Sequence, residues 1–377
     1  MARVVILGGG FGGAAAARHA RSVLSDGHEI VVVDRATDSF LCGVNPAVIV
    51  GEAEPVSRSI ASLAGGGVQY LRGDVERIDL ETRTVATSAG DEPWDFLVVA
   101  LGVRYDWDAV PGSAVAYSFY DRQTSLRLRD RLAEFGGGSI VIGIGGSPYR
   151  CPPAPFEAAL MIDGFLRRRG LRPDSSITVA IPEPQPLGVA GPAATARMRG
   201  ILEDANITLH TATTLRSVAG GSMVFEDGTV LQADVPITIP VHRLQPSVDA
   251  TGLAGGKPFL PVDRSTLETS APNVFAVGDT NGIPIGEKAG IPKAGVFAAG
   301  QGHHAAAVIA ARVGDAPDPG PYDGRGHCFL MFGSESGSTV GGDFFAANGP
   351  DVALDEPSAA GRRAKDEWEA AWARFEI

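Results

Sequence analysis

The sequence predicts an α/β fold: two Rossmann-like domains, one in two segments with the other inserted between them, plus a small C-terminal interface region. Three observations carry this expectation. The apolar run at residues 4 to 7 feeds the glycine-rich turn of "RVVILGGGFGG", and a second run at residues 139 to 142 feeds "GIGGS". Further strand-like runs, "DFLVVALG" and "NVFAVGD", each end in a glycine turn on either side of the second unit. The expected boundaries are 1–107 for the first segment, 108–245 for the insert, 246–311 for the second segment and 312–377 for the C-terminal region.

With 377 residues, 44% of them hydrophobic, the chain exceeds what one core usually serves. The net charge is −12 and basic residues occur only in short clusters, so no nucleic-acid partner is expected. The arginines at 167 to 169 read as a solvated helix end. Forty-nine glycines and 26 prolines are scattered between apolar segments, which points to tight turns. No apolar stretch reaches the roughly 18 residues that cross a bilayer. The run at residues 4 to 7 has no cleavage pattern after it, so the expected location is cytoplasmic, and a periplasmic one requires that a signal has been removed. Three cysteines are too few for a disulfide scaffold, and no two share metal-ligand spacing, so no metal is expected and redox chemistry is their natural role.

Gly8, Gly10 and Gly13 have G-x-G-x-x-G spacing between a strand and an alanine-rich helix. The first permits the turn, the second lets a pyrophosphate approach, and the third lets helix and strand touch. Asp34, about 20 residues on, stands where a carboxylate accepts from a ribose; Arg35 beside it joins the cofactor-binding set. Each of "DFLVVALG" and "NVFAVGD" alone is a buried strand ending in a turn. Together, in this order, they resemble the accessory motifs of two-dinucleotide-binding-domain flavoproteins. That resemblance implies FAD, with Gly102 closing a crossover beside it and Asp279, after Gly278, bonding its ribityl chain.

The second loop begins like the first and then departs. In "GIGGSPYRCPPAPFEAAL", residues 143 to 160, Pro148, Cys151, Pro152 and Pro153 occupy the region where a third glycine belongs. Glu183, in "SITVAIPEP", stands near the place of a ribose-binding acid but between Pro182 and Pro184. A domain that keeps its fold and has lost its nucleotide is expected, so that something other than NADH reduces the flavin.

"CPPAPFEAAL" and "GHCFLMFG" resemble the sulfide:quinone oxidoreductases and the flavocytochrome c sulfide dehydrogenase flavoproteins, and the similarity runs from Arg3 to about Phe345. The resemblance implies that Cys151 and Cys328 form a redox pair across the flavin. Read without it, both are buried, inert thiols. Pro155 suits a first helical position, so the helix end is expected to depress the Cys151 thiol pKa. Glu157 is either a proton acceptor beside the flavin or a first-turn carboxylate that favours the helix dipole.

"GIPKAGVFAAGQGHHAAAVIAA", residues 290 to 311, resembles the family segment whose helix start faces the flavin; by that resemblance Lys293 stabilises negative charge on the reduced cofactor. A solvent-facing lysine is the alternative. His303 and His304 read as packing or surface residues. Cys42, in "SFLCGVNPAVIVGE", matches the cysteine that binds FAD covalently in the sulfide dehydrogenases; a small side chain filling a gap is the other reading. Quinone reductases usually carry a further catalytic cysteine before the prolines, and residues 117 to 138 contain none, which favours a two-cysteine mechanism. Trp368, Trp372 and Phe375 share a helical stripe that packs on the same protein, on a partner or on a membrane surface.

The function these readings imply is FAD-dependent oxidation of sulfide, or of a small thiol or persulfide, with a quinone or cytochrome acceptor. Peripheral membrane contact and a homo-oligomer are compatible with it. The alternatives are an NAD(P)H-dependent flavoprotein, such as a type II NADH dehydrogenase or ferredoxin reductase, and a flavin-bearing electron-transfer subunit that needs a partner.

Overall fold

The computed structural model describes residues 1–286 and 289–375. Its first unit opens with β1 (Arg3–Leu7), α1 (Phe11–Val23) and β2 (Glu29–Asp34). Both strands are nearly continuous apolar runs, as expected where helices or loops cover both faces of a parallel sheet. β3 (Val68–Arg72) and β4 (Phe96–Val99) pair in parallel with β2 and β1, and an antiparallel meander over residues 75–93 joins them.

The chain leaves this unit along Arg104–Asp106, which pairs antiparallel with Val241–Arg243 on its return. Between them lies the second unit: β5 (Gly138–Ile144), α2 (Ala154–Arg168), β6 (Ser175–Ala180), α3 (Gly191–Asp204), β7 (Ile207–His210) and β8 (Val235–Ile239). These four strands are parallel, in the order β7-β6-β5-β8, and residues 215–232 add a separate antiparallel three-stranded sheet. β9 (Val274–Ala276) then rejoins the first sheet and completes the order β9-β4-β1-β2-β3. α4 (Gly295–Val313) runs along α1 so closely that a Cβ on Gly302 would stand 2.0 Å from the Gly12 carbonyl oxygen. Glycine is required there by the approach of two backbones.

The C-terminal region is an antiparallel sheet of β10 (Arg325–Phe332), β11 (Ser336–Asp343) and β12 (Asp351–Leu354), followed by α5 (Ala359–Ala373). Ser358 caps α5 by accepting from the Gly361 N–H (3.0 Å). β10 is built into the second unit: Cys328, Leu330 and Met331 share one apolar cluster with Ile142, Phe156 and Phe297.

The stripe on α5 packs on this chain, the first of the readings given above: Trp372 is fully buried against Phe11 (ring centroids 5.4 Å), and Trp368 stacks on Phe11 (6.0 Å) and lies tilted beside Phe329 (5.7 Å). The Arg58 guanidinium covers Trp372 at 4.2 Å and Phe375 at 4.0 Å. The arginines at the end of α2 are exposed, as expected of a solvated helix end, and they also find polar partners: Arg167 pairs with Asp163, Arg168 with Glu52, and Arg169 donates to the Leu132 carbonyl. Among the described residues no helix is long and apolar enough to cross a membrane.

Candidate active site

The three glycines after β1 do different work. A Cβ on Gly8 would lie 2.4 Å from the Ala100 carbonyl oxygen, and one on Gly13 would lie 1.7 Å from that of Gly8. Those two glycines serve the protein's own packing. A Cβ on Gly10 would meet nothing within 4 Å, because it would project into the cleft that Gly10 lines. α1 begins there with no side-chain cap and no acidic residue in its first turn. Its first N–H groups are therefore available to an anionic ligand.

The same cleft is lined by Asp34, Arg35, Gly102, Gly278 and Asp279. Asp34 is pinned by the N–H groups of Gly9 (2.7 Å) and Ala36 (2.8 Å), and each carboxylate oxygen retains a second acceptor position. Gln301 on α4 fixes the opposite wall by accepting from the Gly278 N–H (2.7 Å) and the Asn281 amide (2.9 Å). The Thr280 hydroxyl donates to the Gly102 carbonyl (3.0 Å). A cradle that one Cβ would obstruct, a free helix start and an acid near it fit the pyrophosphate and ribose of a dinucleotide such as FAD.

The second glycine loop is closed by its own side chains. Ser147 Oγ donates to Glu183 Oε1 (2.7 Å), and the Tyr149 hydroxyl lies 3.5 Å from Glu183 Oε2. A Cβ on Gly145 would meet Val110 at 2.9 Å, so this glycine serves packing. α2 starts at Ala154 behind Pro153, which leaves Pro155 one position later than the sequence suggests. Cys151 stands just ahead in a left-handed conformation (φ +56°), a strained one for a side chain with a Cβ. It is held on both sides: its N–H donates to the Lys293 carbonyl (2.7 Å), and its own carbonyl accepts from the Ala154 N–H (2.8 Å).

Cys151 and Cys328 pack against one apolar cluster, and both are free thiols. Burial pushes the Cys151 thiol well above its ordinary value, and the charges of Cys328, Glu157 and Cys42 push it the same way while Arg150 opposes them. Burial, with Glu157 again, pushes Cys328 to about 12. The expected depression by the helix end is overturned, because desolvation of a full negative charge outweighs the partial charge of a helix terminus.

Neither Glu157 nor Lys293 lines the cleft. Glu157 is buried in an ion pair with Lys365 and accepts from the Met331 N–H (3.1 Å). Lys293 turns its ammonium to the carbonyls of Asp279 (2.8 Å) and Asn281 (2.6 Å) and over the Phe259 ring (3.5 Å), so it is not solvent-facing. Burial lowers its pKa to about 8, although Asp279 opposes this. Cys42 lines the cleft from a short 3-10 turn, Cys42–Val44. His304 bonds the Ser265 carbonyl (2.7 Å) and His303 stacks on His19 (3.4 Å), consistent with packing roles.

Sequence reasoning missed Arg150, although it precedes Cys151 directly. Its side chain reaches the cleft, donates to the Tyr120 carbonyl (2.8 Å) and lies 5.6 and 5.4 Å from the rings of Tyr105 and Tyr120. His242 accepts from the Arg150 N–H (3.2 Å) and bonds the Pro240 carbonyl (2.8 Å), an arrangement that requires a neutral ring with its proton on Nδ1. The missing signal was spatial: Tyr105, Tyr120 and His242 surround Arg150 from distant parts of the chain.

Two parallel-sheet units, one with an open phosphate loop and one whose loop carries a thiol instead, define a dinucleotide-binding oxidoreductase. The chain belongs to the pyridine nucleotide-disulphide oxidoreductase family, which it matches over residues 2–302. It is an FAD-dependent enzyme of that family. Over 355 residues it is 26% identical to the sulfide-quinone reductase of Aquifex aeolicus, covering 89% of this chain and 82% of that one. The solved sulfide:quinone oxidoreductase of the same bacterium superposes with a TM-score of 0.87 at 21% identity, over 100% of this chain and 90% of that one. NDH2 from Plasmodium falciparum, solved in complex with NADH, shares the fold at a TM-score of 0.75 and 12% identity, over 99% and 96% of the two chains.

Proposed function

We propose that this protein oxidises sulfide, or a closely related small thiol or persulfide, through Cys151 and Cys328, and passes the electrons by way of FAD to a quinone. A cytochrome is the alternative acceptor. The observation that carries this reading is Cys151 itself. It occupies the turn where a second nucleotide would enter, in a strained backbone held by Lys293, within the same apolar cluster as Cys328.

When bound in the cleft, FAD supplies acceptance of two electrons from sulfur and their delivery onward. Gly10, the start of α1 and Asp34 would hold its pyrophosphate and adenosine end, with Arg35 beside them, and Gly102, Gly278 and Asp279, which line the same cleft, would hold its ribityl chain. Cys42 is the thiol that would anchor it covalently. Lys293 and Arg150 bring positive charge to the interior of the site. Hydrosulfide attacks one sulfur of the oxidised cysteine pair, and the other sulfur leaves as a thiolate. Cys328 is buried and Cys151 half-buried against one apolar cluster, which limits the water that reaches that thiolate.

Anaerobic titration of the yellow protein tests the reading: bleaching of the flavin by sulfide, and not by NADH, is expected. Bleaching by NADH alone would instead favour the type II NADH dehydrogenase class. Reduction by sulfide with reoxidation only after a cytochrome is added would favour an electron-transfer subunit.

A further inference from the structure

The C-terminal helix reaches the thiol centre through a buried charge. Lys365 on α5 has a side chain only 5% exposed, and its Nζ pairs with Glu157 Oε1, whose side chain is 4% exposed. The same ammonium lies 3.8 Å from Glu369 Oε1 on the next turn of α5, where the carboxylate is 18% exposed. Glu157 follows Cys151 by six residues on α2, and the N–H it accepts, that of Met331, follows Cys328 by three residues on β10. One carboxylate therefore joins the helix after Cys151, the strand of Cys328 and the C-terminal helix.

An isolated buried glutamate–lysine pair is a poor proton acceptor, since protonating the carboxylate strands an unpaired ammonium. Three charges behave differently. With Glu157, Lys365 and Glu369 all ionised, the group carries one net negative charge. A proton placed on Glu157 then leaves Lys365 still paired, with Glu369.

We propose that Lys365 and Glu369 are positioning residues that tune Glu157 as the proton acceptor of the Cys151–Cys328 centre, so that α5 is a working part of that centre. The inference rests on the thiol chemistry proposed above. Hydrosulfide attack breaks the Cys–Cys bond, forms a sulfur–sulfur bond to one cysteine and leaves the electron pair on the other as thiolate. The persulfide proton then passes to Glu157, whose carboxylate becomes neutral while the persulfide becomes an anion. Both thiols feel the charge of Glu157. Burial raises the Glu157 pKa while Lys365 and the Met331 N–H pull it down, and burial likewise raises Glu369 against Lys365. The other charges facing Glu369 are Asp366 and Arg362, which pair with each other at 3.0 Å. Arg150 and Cys42 face Cys151 from their own loops.

An infrared titration of the FAD-loaded protein tests this without any donor, with the band of the protonated Glu157 carboxyl assigned by its loss in Glu157→Gln. Lys365→Met should move the pH at which that band appears upward by about one unit or more, and Lys365→Arg should restore it. Glu369→Gln should move it downward, because protonation would then strand the ammonium. The pH profiles of anaerobic flavin bleaching by sulfide and by dithiothreitol should shift in the same opposite directions, and neither shift should survive in the Glu157→Gln background. Opposite shifts from two positions on one helix do not arise from a loosened α5. Shifts of one sign, no shift, or shifts that persist without Glu157 would overturn the inference. If dithiothreitol bleaches the flavin and sulfide does not, the proposed donor is wrong, while the infrared and dithiothreitol arms still decide on the triad.

Discussion

The backbone N–H of Cys151 donates to the carbonyl of Lys293 across 2.7 Å, which ties the loop of the second unit to the segment that leads into α4 of the first. This bond fixes the cysteine by its main chain and leaves its sulfur free to react. Cys151→Ser and Cys328→Ser should therefore keep the fold and the yellow colour. Each should slow flavin reduction by sulfide by about three orders of magnitude or more, the scale on which loss of a nucleophile is felt. Stopped-flow absorbance under anaerobic conditions measures it, and a double serine variant reduced at the wild-type rate would sink the thiol relay.

Gly10 and Gly13 should separate cofactor binding from folding. Gly10→Val places a side chain in open cleft, so the variant should fold with a loss of no more than about 1 kcal/mol and purify colourless. Gly13→Ala drives a Cβ into the Gly8 carbonyl and should cost about 3 kcal/mol or more. Denaturation curves beside flavin content decide it, and a yellow Gly10→Val protein would remove the pyrophosphate from this loop.

Cys42 should retain flavin after acid precipitation, with an intact mass higher than the apoprotein by one FAD. Cys42→Ala should release all of it into the supernatant. Complete release from the wild type would leave Cys42 as a small side chain lining the cleft.

His242 should make the protein acid-sensitive. Burial first, and then the charge of Arg150, lower its pKa from 6.5 to about 3. The unfolded chain thus binds a proton that the folded one refuses, and stability falls as pH drops from about 6.5 towards 3. Above that window the residue has no effect. His242→Gln, which stays neutral, should flatten the decline of melting temperature over that range. An equally steep decline in the variant would assign the acid sensitivity to other groups.

The parallel-sheet units were legible because their strands are apolar runs that end in glycine turns, as at residues 4 to 13 and 95 to 102. The cleft lined by Gly8, Gly10 and Asp34 was legible because their spacing is local. The thiol side was only half legible. Cys151 announces itself by its prolines, but no period in the sequence links Glu157 to Lys365, 208 positions away. The cage of Tyr105, Tyr120 and His242 around Arg150 depends on the same long-range closure. The thiol pKa was misjudged because a helix start is visible in sequence and the depth of burial is not.

Glu183 carries a last consequence. Its carboxylate already receives the hydroxyl of Ser147 at 2.7 Å, from a partner tethered to the same fold and so present at high effective concentration. A dinucleotide arriving from solution would have to evict that internal hydroxyl before its ribose found an acceptor. On the reading proposed above, selectivity against the nucleotide would be competitive, because NADH would have to displace that hydroxyl from Glu183.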